Sequence, residues 1–148
     1  MTTEFKPQSN FLRDAIARGQ FHQCTDLEGL DKAALASVTG YIGFDMTAPS
    51  LHVGNLVSIM MLRWLQRTGH RPIVVVGGGT TKVGDPSGKD EARTLLDDER
   101  IARNIAGQRR ACDRCLACGD KDTGARRVNN DEWLKPLAYI PFLRDIGR

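Results

Sequence analysis

No apolar run in this chain approaches the roughly 20 residues that cross a bilayer as a helix, so the sequence offers no membrane span. Its N-terminus, M-T-T-E-F-K-P-Q, lacks the pattern of a signal peptide, and a cytoplasmic protein is expected. Internal repeats and low-complexity stretches are also missing, which sets aside repeat architectures. Cysteine is scarce, at four residues. Cys112, Cys115 and Cys118 have the C-x2-C-x2-C spacing that opens a ferredoxin-type iron–sulfur run. The Cys-Pro that completes such a run is absent: Gly119 and Asp120 follow, and the remaining thiol, Cys24, lies far away. The same spacing makes a buried helix stripe beside Leu116, and that reading is favoured.

The 148 residues suffice for one domain with a real core. Hydrophobic content of 41% and charged content of 26% are ordinary for a globular protein. The net charge of +3 is uneven. Residues 1–99 hold 10 Lys+Arg against 12 Asp+Glu, whereas residues 100–148 hold 11 against 6. A basic C-terminal third suits a polyanion nearby or a solvated helix face.

The rest of the chain is organised around Y-I-G-F-D-M-T-A-P-S-L-H-V-G-N-L, residues 41–56. Tyr41, Ile42 and Phe44 are strand formers. The chain breaks at Thr47-Ala48-Pro49-Ser50, then resumes as a helix with Leu56, Ile59, Met60 and Leu62 at helical spacing. A strand, a tight turn and a helix N-terminus make an anion site, because free N–H groups and the positive helix end face the turn. Gly54 leaves room for a ligand, and His52 can donate a hydrogen bond to phosphate.

Elsewhere, Ser9 or Asn10 caps a helix running to Arg18, and Gly19 ends it. Phe21 to Leu30 reads as a loop, and Asp31 starts a short helix to about Ser37. Tyr41 to Asp45 is the first strand, Gly54 to Thr68 a helix closed by Gly69. The apolar run Pro72 to Val76 is a strand expected to be buried on both faces of a parallel sheet. This is a βαβ unit. Gly77-Gly78-Gly79-Thr80-Thr81 and the residues to Asp90 read as a loop at the strand's C-terminal end, where open α/β sheets bind ligands. Asp97 or Asp98 begins a helix through about Cys118. Ala125 to Val128 is a third strand, Asn129 to Trp133 a loop entering a helical turn, and Pro136 to Arg148 a last helix.

The H-V-G-N at the helix start resembles the H-I-G-H signature of class I aminoacyl-tRNA synthetases. Y-x-G-F-D-x-T-A-x-S-L-H-x-G and V-G-D-P-S-G-K, at Val83 to Lys89, are similar to tyrosyl-tRNA synthetases of bacterial type. The resemblance runs from about Phe11 to Asp98 and again from Val128 to Arg148. It implies an α/β fold with a Rossmann-like parallel sheet and flanking helices, the N-terminal half of a synthetase catalytic domain. Residues 1–39 would form an N-terminal helical segment and 40–148 a partial nucleotide-binding domain.

By the same resemblance the substrates are ATP, tyrosine and tRNA, with Mg2+ accompanying ATP, although no residue looks like a dedicated metal ligand. Thr47 and His52 would hold the γ-phosphate end, and Lys89 and Arg93 would close over pyrophosphate. The Asp45 backbone would meet the α-phosphate, Gly54 would line the ATP site, and Asn55 and Ser58 would face the ribose. Tyr41 would hydrogen-bond the substrate phenol, with Gly43 beside it. Asp85 would pair with the α-ammonium and Asn130 support the pocket. The family's second lysine loop, K-M-S-K-S, does not occur here, so a homodimeric enzyme's N-terminal fragment, inactive alone, is the expectation. Another H-x-G-H nucleotidylyltransferase, such as one that adenylylates phosphopantetheine, and a non-catalytic nucleotide-binding fragment remain alternatives.

Overall fold

The computed structural model describes residues 5–83 and 96–147. Helix α1 spans Asn10–Ala17 and α2 spans Leu27–Ala33. Strand β1 is Thr39–Asp45, α3 is Val53–Arg67, and β2 is Arg71–Gly77. Helix α4 is Gly78–Val83 and α5 is Asp98–Cys115. Strand β3 (Arg126–Asn129), α6 (Asp131–Leu134) and α7 (Tyr139–Ile146) complete the order. The strands form a parallel sheet in the order β1-β2-β3, so the fold is α/β with helices flanking a parallel sheet, as expected.

Local chemistry sets the helix ends. The Ser9 side chain accepts from the Leu12 N–H, a cap worth about 1 kcal/mol. Gly19 has φ 66° and Gly69 φ 94°. Both take the left-handed turn, after α1 and α3, that a β-carbon would resist. Asp97 caps α5 through the Arg100 N–H at 2.7 Å. The second helix begins earlier than the sequence suggested. Asp26 caps it by accepting from the Gly29 N–H at 2.8 Å, and Asp31 lies inside it. There the Asp31 carboxylate accepts from the N–H groups of Gln8 and Ser9, both at 2.8 Å, tying the N-terminal segment down. Those bonds hold its pKa below the ordinary carboxylate value, the Gln8 bond most of all.

One core joins α1, α3, α5 and one face of the sheet. It contains Phe11, Leu12, Phe44, Ile59, Leu62, Trp64, Val74, Ile101 and Cys112. Leu12, Ile59 and Leu62 are among the most deeply buried side chains. Each contributes roughly 1.5–3 kcal/mol by leaving water. Arg18 lays its guanidinium 3.6 Å from the Trp64 ring centre, shielding the ring with a cation–π contact.

Registered residues of neighbouring parallel strands share a face. Ile42, Phe44, Val74 and Val76 meet α3 and α5, whereas Tyr41, Gly43 and Asp45 lie on the other face with Ile73 and Val75. That second face is open among the described residues: Tyr41, Gly43 and Asp45 are exposed and Ile73 and Val75 half-buried. The expectation that 72–76 is buried on both faces is therefore corrected. Pro72 and Val74 are buried, but their neighbours are not.

The cysteine stripe is also corrected. Helix α5 stops at Cys115, so only Cys112 is buried; Cys115 is half-buried and Cys118 exposed. Burial pushes the Cys112 thiol up, leaving it protonated and inert. The adjacent arginines of β3 have separate tasks. Arg127 reaches the Asp113 carboxylate on α5 and the Cys118 sulfur, while Arg126 is exposed.

Candidate active site

The three strands end at one edge, where Asp45 registers with Gly77 and Val76 with Asn129. Asn130 follows β3 and is 8% exposed. Its backbone N–H donates to Val76 O at 2.9 Å, seating it at the end of β2. Its Oδ1 accepts from the N–H groups of Gly79 and Thr80 at 2.8 and 3.4 Å. Its Nδ2 donates to Thr80 Oγ1 at 3.1 Å, and that hydroxyl donates onward to Asp45 Oδ1 at 2.7 Å. The proton order is therefore set from Asn130 through Thr80 to Asp45. The relay fixes the Asp45 carboxylate at the edge of the open face.

The glycine run is not the loop expected from the sequence. Residues Gly78–Val83 are helical, and Asn130 supplies the cap from a distant part of the chain. The glycines are needed for close approach. A β-carbon on Gly77 would fall 2.4 Å from Asp45 Oδ1, and one on Gly78 2.4 Å from Asn129 Oδ1. They let three strand ends converge.

Beyond Asp45 the chain turns through residues that α5 grips. The Met46 N–H donates to Thr81 Oγ1 at 2.8 Å, and Asn104 Nδ2 donates to Met46 O at 2.7 Å. Gln108 Nε2 donates to the carbonyls of Asp45 and Ala48 at 3.1 and 3.0 Å. Both amides are buried, and their N–H groups are spent on the turn's backbone. Gly107 sits against Pro49, whose carbonyl oxygen would be 1.9 Å from an added β-carbon. Thr47 is exposed on this anchored turn. Sequence reasoning passed over Asn104 and Gln108. Their signal was an i, i+4 amide pair within the stripe of Ile101, Ile105 and Cys112.

His52 is the exposed N-cap of α3, with extended backbone at φ −85 and ψ 170. Its N–H donates to Asn55 Oδ1 at 3.2 Å, so that oxygen is turned back onto the cap. Gly54 lies beneath the imidazole, whose Cε1 and Nδ1 would be 2.9 and 3.0 Å from a β-carbon there. Ser58 is half-buried one turn on. Lys82, also unremarked in the sequence, bridges Asp98 at 3.0 Å and Asp131 at 3.2 Å, linking α4, α5 and α6. The Asp98 bond, then the Asp131 bond, raise its pKa. Asp85, Lys89 and Arg93 lie outside the described residues. Among the described residues, no group of three or more His, Cys, Asp or Glu is placed to hold a metal ion. No described helix is long and apolar enough to cross a membrane.

A parallel α/β sheet whose polar strand ends meet a helix N-terminus is the layout of a nucleotide-binding unit. Residues 34–148 match the model of the tRNA synthetases class I (W and Y), and the chain belongs to that family. It is 60% identical over 143 residues to the tyrosine–tRNA ligase of Rhodospirillum rubrum, covering 96% of this chain and 34% of that protein. It is 56% identical over 149 residues to the tyrosine–tRNA ligase of Methylocella silvestris, covering all of this chain and 36% of that one. Among solved structures, a C-terminally truncated mitochondrial tyrosyl-tRNA synthetase of Coccidioides posadasii superposes with a TM-score of 0.74 at 27% identity. That match covers 95% of this chain and 40% of the other. The chain thus spans about a third of the length of the curated relatives it matches.

Proposed function

We propose that this chain carries the ATP-binding and tyrosine-binding part of a tyrosine–tRNA ligase. In that reaction the tyrosine carboxylate attacks the α-phosphate of ATP, pyrophosphate leaves, and the tyrosyl group passes to tRNA. The observation that carries the reading is the line of Tyr41, Gly43 and Asp45 on the open face of β1, leading into the turn that α5 anchors. The phenol of a tyrosine lying along this line would meet Tyr41, and its reacting end would meet the Asp45 edge. Tyrosine, rather than tryptophan, is favoured by relatives from 53% to 60% identical that are tyrosine–tRNA ligases.

The chemistry is mostly positioning and electrostatics. Thr47 and His52 would hold the departing phosphates at the α3 N-terminus, joined by Lys89 and Arg93. The Asp45 backbone would meet the α-phosphate, and Gln108 keeps that peptide in place. Gly54 gives the imidazole its room, and Asn55, with its amide nitrogen, and Ser58 would face the ribose. Asp85 would pair with the substrate ammonium, and Asn130 would support the pocket through Thr80. Mg2+ would accompany ATP as its counter-ion rather than through a dedicated protein site. By the same reading residues 1–39 would be an N-terminal helical segment and 40–148 a partial nucleotide-binding catalytic domain, in a cytoplasmic enzyme that acts as a homodimer.

Calorimetry with tyrosine and phenylalanine, on the chain and on Tyr41→Phe, tests the assignment. Tyrosine should bind more tightly than phenylalanine, and Tyr41→Phe should shrink the difference several-fold. Equal affinities in the unaltered chain would overturn it.

A further inference from the structure

We propose that the exposed arginine stripe of α5 is a contact surface for the phosphate backbone of RNA, lying beside the turn that carries Thr47 and His52. This rests on the ligase reading above. Helix α5 contains five arginines and no lysine. With about 3.6 residues per turn, Arg103, Arg110 and Arg114 fall within about 40° of one another, with Arg100 roughly 40° further round. The stripe from Arg103 to Arg114 is about 16 Å long. All four side chains are exposed.

Among the described residues these arginines form no ion pair, and two of the three acids of α5 are engaged elsewhere. Asp98 is held by Lys82, and Asp113 by Arg127 and Arg109. Only Glu99, exposed in the first turn of α5, offsets the stripe from its own helix. The guanidinium is the group suited to such a partner. Its planar fork matches phosphate oxygens, and it sheds water more readily than an ammonium. The stripe's place is informative as well. Gly107 lies on the same side of α5, between Arg103 and Arg110 in the chain, and it is the residue pressed against Pro49 of the turn. A strand of phosphates lying along the stripe would therefore run past the adenylate-forming turn, where the acceptor of an activated amino acid has to arrive. An acidic protein would satisfy the charge but would have no reason to lie at that place.

The test is fluorescence anisotropy with an RNA hairpin, titrated with the chain between about 50 and 200 mM salt. The variant is the triple change Arg103→Gln, Arg110→Gln, Arg114→Gln, with Arg144→Gln on α7 as control and circular dichroism to verify helix content. Loss of phosphate contacts lowers the salt slope by roughly one per contact. The triple variant should lose about two to three from that slope and bind at least about tenfold more weakly, with the control unchanged. Tyrosine and ATP affinities, measured on the same sample, should stay within about twofold, which separates this surface from the substrate site. An unchanged slope and affinity in the triple variant would overturn the proposal. So would equal competition by polyglutamate at matched charge.

Discussion

His70 shows how much one side chain in this fold depends on its protonation state. It is 3% exposed, its ring meets Phe11 edge-on at 5.9 Å, and its Nδ1 accepts from the Val38 N–H at 3.3 Å. That bond requires Nδ1 to be unprotonated, and burial lowers the pKa below the ordinary histidine value. A base whose folded pKa is depressed contributes stability that is present above the unfolded value and lost as pH falls through the folded one. Unfolding free energies from urea titrations should therefore decline as pH falls below about 6.5, with a slope of up to about 1.4 kcal/mol per pH unit for one proton. Asp31 acts in a separate window, since its pKa lies below the ordinary carboxylate value. His70→Gln should flatten the profile across that near-neutral window; an unchanged slope in that variant would assign the effect elsewhere.

Among the elements, those whose ends are set by neighbouring residues were legible in the sequence. Ser9, Gly19, Gly69 and Asp97 bound α1, α3 and α5 close to where propensity places them. Helix α4 was not legible, because a run of glycines has no side chains to carry a period. What makes it helical is Asn130, a residue distant in sequence. The end of α5 was misjudged for a similar reason. Cys118 keeps the helical spacing, but Leu116 is already extended and Cys118 bridges Ala125 beside the sheet. Of the expected site residues, Asp45 and Asn130 meet through Thr80, and His52, Gly54 and Asn55 cluster at one helix start. Asn104 and Gln108, which hold the turn in place, carry amides that sequence patterns score only as breaks in an apolar stripe. Their grip depends on Gly107. In an exposed helix, Gly→Ala would gain about 1 kcal/mol. Here the new β-carbon would press on the Pro49 backbone. Gly107→Ala should thus lower stability in urea by about 1–3 kcal/mol, the usual cost of overpacking. It should also weaken ATP binding measured by calorimetry. A stabilised variant with unaltered ATP affinity would show that the turn and α5 move independently.

At the scale of the whole molecule, the open face decides what the chain can do alone. Tyr41 is 74% exposed and shares its face with exposed Gly43 and Asp45, so a substrate laid there stays in water on one side. Hydrogen bonds that discriminate strongly in a dry pocket are reduced to a several-fold preference when solvent competes for both partners. Charge growing on pyrophosphate likewise needs donors preorganised in a water-excluded site, and losing one costs roughly 10²–10³ in rate. Helix α7 adds to the exposure through Tyr139, Ile140 and Ile146, a surface prone to association. We therefore expect this 148-residue chain, purified free of host synthetase, to bind tyrosine weakly and to show no tyrosine-dependent ATP–pyrophosphate exchange above background. Gel filtration should show association that grows with concentration. Exchange within about tenfold of a full-length relative would mean that the face seen open here is closed in solution, most simply by a second copy.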